Sequence, residues 1–128
     1  MQTSAIAQHA GQTGKDDREL ASVFAAYTLT APHWLLFATA VGLLLAYKFG
    51  APDFGSGAWL TFGRLRPIHP NATFYGFASI ALVGLAYYVP VRSCGTRLYS
   101  ARLAWIGLIH VNVEAVTGEN FSTLVGQW

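Results

Sequence analysis

Residues 21–47 contain no Asp, Glu, Lys or Arg, and the same holds for residues 67–91. These two uncharged runs, 27 and 25 residues long, restrict what the chain can fold into more than any other feature. A helix of about 20 apolar residues crosses the hydrocarbon core of a bilayer, so either run can span one with some tilt. A water-soluble alternative fails on size, because a small domain leaves a large fraction of its surface exposed. A chain of 128 residues that is 53% hydrophobic and 11% charged has too little polar surface for that. An ordinary soluble domain carries about 25% charged residues. The lipid bilayer is therefore the expected solvent.

The expected fold class is all-α, an integral membrane helix-bundle fragment with two transmembrane helices and an interrupted third. Residues 1–19 read as a polar N-terminal tail, with Lys15, Asp16, Asp17, Arg18 and Glu19 bunched at its end. The membrane segment covers 20–117, with helices at about 21–48, 67–91 and 98–116, and 118–128 reads as a polar C-terminal tail. Pro32 lies inside the first helix and predicts a kink. Gly50, Pro52, Asp53, Gly55, Ser56 and Gly57 mark a turn-rich connector. Trp59 and Phe62 suit a membrane interface, as do Tyr87 and Tyr88 at the far end of the second span. Pro67 fits a helix start, where its missing N–H costs nothing. In the third span only residues 103–113 are free of charge, and His110, Asn112 and Glu114 interrupt the apolar run. Ionisable groups deep in a bilayer are costly, so this helix is expected to cross only when packed on partners.

The first apolar run is too long for a cleaved signal and should remain in the membrane. Lys and Arg counts set the orientation. Lys15, Arg18, Arg92, Arg97 and Arg102 fall on one side, and Lys48, Arg64 and Arg66 on the other. The larger group predicts a cytoplasmic N-terminus.

Several functions are excluded. A net charge of +2 without a basic, aromatic-interleaved patch gives no footprint for nucleic acid. No dinucleotide fingerprint, phosphate loop, zincin helix or nucleophile elbow is present. Cys94, the one cysteine, reads as a free thiol at a helix end. The Asp16–Asp17 pair reads as a charge cluster in the tail, and Glu114 as a weakly buried helix end or a proton-relay carboxylate.

The histidines remain. His9 lies in the polar tail and reads as solvated. His33, His69 and His110 lie within spans, where an ionisable group marks a functional site or a polar contact between helices. His69 has the most suggestive surroundings. Thr73, Gly76, Ile80, Val83 and Tyr87 share its helical face, flanked by Ala72 and Ser79. Small residues there would leave room for a flat macrocycle, and neutral imidazole is an axial ligand of haem iron. Arg64 and Arg66 lie about a turn outward, placed to pair with propionates or to anchor the helix at the membrane edge. At about 1.5 Å per residue, His33 lies roughly 20 Å below the outer end of its helix and His69 about 3 Å into its own. This depth mismatch predicts that the two cannot share one iron in a single chain, so a second ligand would come from elsewhere.

The string Leu60-Thr-Phe-Gly-Arg-Leu-Arg-Pro-Ile-His-Pro-Asn-Ala, ending at Ala72, resembles the start of the second helix in catalytic subunit I of cbb-type (C-family) haem–copper cytochrome c oxidases. Tyr75-Gly-Phe-Ala-Ser, Ala86-Tyr-Tyr-Val-Pro-Val-Arg and the preceding Ala51-Pro-Asp-Phe resemble it too. The likeness covers roughly 20–109 and is concentrated in 51–102. It implies aerobic respiratory electron transfer to O2 in a bacterial-type inner (plasma) membrane, with cytochrome c as donor. It implies low-spin haem b, with His69 as axial iron ligand and Arg64 and Arg66 near the propionates. It also implies partners in the remaining oxidase helices or subunits, because the family's copper ligands and other haem ligands lie on later helices. The copper centre is therefore absent from this chain, no catalytic residue is assigned, and the expected state alone is inactive. Two rivals stand beside this reading, a haem-free structural or relic membrane protein and a small b-type cytochrome formed by self-association. His69→Ala with a haem spectrum, and size in detergent, separate the three.

Overall fold

A computed structural model describes residues 2–55, 57 and 60–125, with side chains described for 11–55, 57 and 60–118. Helix α1 spans Gln2–Gly50. Helix α2, Phe62–Asn71, runs without a break into a π-helical turn, Ala72–Ala78, and then into α3, Ser79–Cys94. Helix α4 spans Ala101–Val125. All regular structure among the described residues is helical, as the apolar runs require. The segments Gly11–Gly50 and Phe62–Cys94 are each long and apolar enough to cross a membrane, and α4 is not one of them.

The helices exceed their expected limits. Residues 2–19, expected as a tail, continue α1. They hold Ala and Gln but no Pro, and the membrane span supplies the nucleus whose formation is the costly step in an isolated helix. Helix α2 starts five residues before Pro67, with Thr61 as N-cap, so Pro67 lies inside the helix. Pro67 and Pro70 remove two N–H groups from the helix. The π-helical turn follows, and the Ser79 hydroxyl donates to the Phe74 carbonyl at 2.9 Å. Helix α1 passes through Pro32 uninterrupted. Helix α4 reaches Val125 through residues expected as tail. Gly95 ends α3 at φ +62°, the left-handed conformation that favours glycine. Trp59 and the side chain of His9 lie outside the described residues.

Packing follows a stripe on α1. Leu20, Val23, Tyr27, Ala31, Ala38, Val41, Leu45 and Lys48 are buried, and half-buried Trp34 completes the alternation of three and four. That alternation suits shallow helix crossings. The facing stripe is Ala72, Gly76, Ile80 and Gly84, with Ala104 and Leu108 from α4 beside it. Small residues bring the backbones together, which is how helices associate in lipid, where apolar contact alone gives little drive. The outward faces are apolar. Leu29, Leu36 and Leu43 on α1 are 65–72% exposed, and Leu82, Ile106 and Ile109 at least 60%. Apolar area on this scale marks contact with lipid or further helices.

Tyr27 joins all three layers. Its ring lies over Gly84, and its hydroxyl donates to the Ala104 carbonyl of α4 at 2.8 Å. We expect Tyr27→Phe to keep the fold and cost about 0.6–1 kcal/mol, the scale of hydrogen bonds between membrane helices. Equilibrium unfolding in detergent micelles followed by circular dichroism measures it.

Exposed ion pairs join Arg92 to Asp17 at 3.6 Å and Arg97 to Asp16 at 3.3 Å. The Arg97–Asp16 approach is charge proximity only, because Asp16 Oδ2 accepts no hydrogen bond. Both pairs are weak at this exposure. They nevertheless place the start of the first span and the end of the second at one end of the bundle, as the charge grouping expects.

Candidate functional site

His69 lies in the last turn of α2 and is partly buried against α1. Its Nδ1 is 2.8 Å from the carbonyl oxygen of Ala38. A carbonyl only accepts, so Nδ1 carries the proton and, in a neutral ring, Nε2 carries the lone pair. The Thr73 hydroxyl donates back to the His69 carbonyl at 2.8 Å, binding that turn to the π-helical segment. The ring lies against Gly42, where a Cβ would be 2.7 Å from Cε1 and 2.9 Å from Nδ1. Ala38 and Gly42 therefore fix the imidazole, one through its carbonyl and the other by lacking a side chain.

The small stripe beside His69 has a different use from the one expected. Gly76 does not hold open space for a macrocycle, because the Trp34 ring occupies it, with Cδ2 and Cγ 2.6 Å from where a Cβ would stand. Ala72 is fully buried in the same interface. The Trp34 Nε1–H donates to Asn112 Oδ1 at 2.9 Å, and Asn112 Nδ2 donates to the Leu108 carbonyl at 2.8 Å. Asn112 thus serves as an interhelical contact within its apolar run.

The depth relation also changes. With α2 starting at Phe62, His69 lies seven residues inside it, about 10 Å. It meets α1 at Ala38, five residues from His33 and so about 7.5 Å along the axis. What separates the two histidines is the face each occupies. His33 is exposed, has Nδ1 on the Leu29 carbonyl at 2.6 Å, and lines a cleft toward α4 with Phe37, Asn112 and Val116. His110 is exposed on α4, 3.3 Å from Glu114 one turn on. Glu114 is itself exposed, so it is no buried carboxylate within this fold. Among the described residues no three metal-ligating side chains cluster. Arg64 is half-buried and Arg66 exposed in the first half of α2, with Arg66 one turn before His69. Cys94 is a free, exposed thiol at the end of α3.

Residues 22–128 match the family model described as cytochrome c and quinol oxidase polypeptide I. The chain belongs to that family. A cytochrome c oxidase subunit 1 homolog of Agrobacterium tumefaciens is 33% identical over 72 residues, 56% of this chain and 13% of the relative. The bacteroid cytochrome c oxidase subunit 1 homolog of Bradyrhizobium diazoefficiens is 32% identical over 96 residues, 74% of this chain and 16% of the relative. The cbb3-type cytochrome c oxidase subunit CcoN1 of Stutzerimonas stutzeri is 35% identical over 72 residues, 56% of this chain and 15% of the relative. The chain thus spans about one-seventh of these relatives. No solved structure matches it. Membership of the subunit 1 family places the chain among membrane proteins of the respiratory chain, in a haem–copper oxidase family, and accounts for its all-helical apolar fold.

Sequence reading missed two residues that shape this region, Trp34 and Gly42. Gly42 had a signal. It is the one glycine in residues 21–49, and glycine inside a helix costs about 1 kcal/mol relative to alanine, so its presence there suggests close approach of another chain segment.

Proposed function

We propose that this chain is the low-spin haem b-ligating, N-terminal membrane segment of a cbb-type cytochrome c oxidase catalytic subunit, with His69 as the axial ligand. The observation that carries this is the Nδ1–H···O=C bond from His69 to Ala38, 2.8 Å long. It sets the tautomer whose Nε2 lone pair can bind a metal, and an acceptor on the far nitrogen is the usual support of a ligating histidine. One imidazole of this kind fits one axial position of haem b. The haem, when bound, would accept and pass on single electrons. Ala38 and Gly42 orient the imidazole, and Arg64 and Arg66 would face the propionates near the membrane edge. The second axial ligand would come from an oxidase helix packed on the exposed apolar faces. Among the described residues no copper site is formed, and the segment alone would not reduce O2. Cytochrome c would be the donor to the assembled oxidase, in a bacterial inner membrane with the N-terminus cytoplasmic.

A haem-free reading has support from the same contact. A histidine hydrogen-bonded to a neighbouring backbone can act only as a polar link between membrane helices.

Reduced-minus-oxidised visible spectra of the purified protein separate the two. With haem b added and free imidazole supplying the second ligand, we expect b-type bands in the wild type and near-complete loss in His69→Ala, with helix content unchanged. An unchanged haem spectrum in His69→Ala rejects the ligand assignment. Bands absent from both proteins favour the haem-free reading.

A further inference from the structure

Lys48 is the buried charged side chain among the described residues, with 7% relative exposure. It stands at the last turn of α1, where the first span ends. Its ammonium donates to the Phe54 carbonyl at 2.6 Å. An ammonium has three donors, so that bond leaves two. The ion pairs among the described residues join Arg92 to Asp17, Arg97 to Asp16 and His110 to Glu114, and none includes Lys48. A buried cation without a counter-charge is costly.

The lysine lines a cavity of about 410 Å³ with Phe49, Pro52, Gly55, Thr61 and Phe62. Across that cavity α2 begins. Thr61 is its N-cap, yet the Thr61 side chain makes no capping hydrogen bond. The N–H groups of Phe62 and Gly63, first in the helix, have no intrahelical acceptor. A helix start favours an anion through these N–H groups and its dipole. The cavity therefore brings together a buried ammonium, an uncommitted hydroxyl and a helix N-terminus, all of which favour negative charge. Two of its walls are aromatic, Phe49 and Phe62, which meet edge-on at 5.2 Å. Aromatic rings and a span-ending lysine are features of the headgroup level of a membrane.

We propose that Lys48 is the centre of a phosphate-binding site at the membrane edge. It would take the phosphate of a lipid headgroup or free inorganic phosphate, held by the Lys48 ammonium, the Thr61 hydroxyl and the first N–H groups of α2. The site is independent of haem binding.

The test uses the full chain, reconstituted in phosphatidylglycerol vesicles, extracted in mild detergent and weighed by native mass spectrometry. The wild type is expected to retain a phospholipid. Lys48→Met, which keeps an apolar stem, should lower retention about tenfold, the effect of losing a hydrogen bond to a charged group. Thr61→Val should lower it about threefold, as for a neutral one. A second arm adds inorganic phosphate to the lipid-free protein. Phosphate binding that Lys48→Met abolishes identifies a site open to the free ion, and lipid retention without it identifies the headgroup as the ligand. Retention and phosphate binding equal to wild type in Lys48→Met would overturn the proposal. If Lys48→Met loses helix content, Thr61→Val decides, because it leaves the Lys48–Phe54 bond in place. Unchanged retention there also overturns the site.

Discussion

Replacing Gly76 by leucine is expected to push apart the first and second membrane spans and destabilise the bundle. A Cβ at Gly76 would lie 2.6 Å from Cδ2 and Cγ of Trp34, atoms near the base of a large side chain. A flexible side chain could swing away at small cost, but this indole is held by its Nε1–H bond to Asn112. Moving it breaks that contact with α4 as well as the contact with the π-helical turn. Overpacking a close-packed site costs about 1–3 kcal/mol and sometimes more. The lost Trp34–Asn112 bond adds about 0.6 kcal/mol, the average for such bonds in membranes. A loss of about 2–4 kcal/mol is therefore expected for Gly76→Leu, and a smaller loss in the same direction for Gly76→Ala. Thermal unfolding in detergent, followed by circular dichroism, measures both. A Gly76→Leu midpoint equal to wild type would mean that Trp34 does not lie against Gly76.

The same residues explain how much the sequence disclosed. Uncharged length is a one-dimensional property, so both long apolar spans were legible from the positions of Asp, Glu, Lys and Arg. The Phe-Gly-Arg-Leu-Arg-Pro-x-His string is local as well, and it pointed to the family that the matching of residues 22–128 shows. Helix ends were less legible. The polar residues before Ala21 can be coil or helix, and what decides is the span they continue. Pro67 looked like a helix start because the pattern does not reveal the turn from Thr61 that precedes it. The use of small residues was the least legible. Gly76 and Ala72 read as space beside His69, but whether space admits a ligand or a neighbouring ring depends on Trp34, 42 positions before Gly76. The ring of His69 likewise meets a backbone carbonyl that no side-chain pattern predicts.

Gly42→Ala is expected to disturb the His69 site while leaving the helices intact. Alanine favours a helix over glycine by about 1 kcal/mol, so α1 should not suffer by propensity. The added methyl would stand 2.7 Å from Cε1 and 2.9 Å from Nδ1 of His69. Here the obstructed atoms are the far end of a side chain that turns about two bonds, so the imidazole yields before the backbone does. Turning it breaks the Nδ1–H bond to the Ala38 carbonyl and frees both tautomer and ring direction. Loss of such an outer partner lowers metal affinity about 10–100-fold. On the haem reading, Gly42→Ala should therefore show helix content equal to wild type, a 10–100-fold weaker hold on haem b and altered visible bands. Haem titration with parallel circular dichroism measures the two quantities separately. Haem binding unchanged in Gly42→Ala would mean that Ala38 and Gly42 do not orient the ligand. Weakened binding with full helix content would tie the close approach of α1 and α2 to the cofactor, because the substitution leaves His69 itself intact.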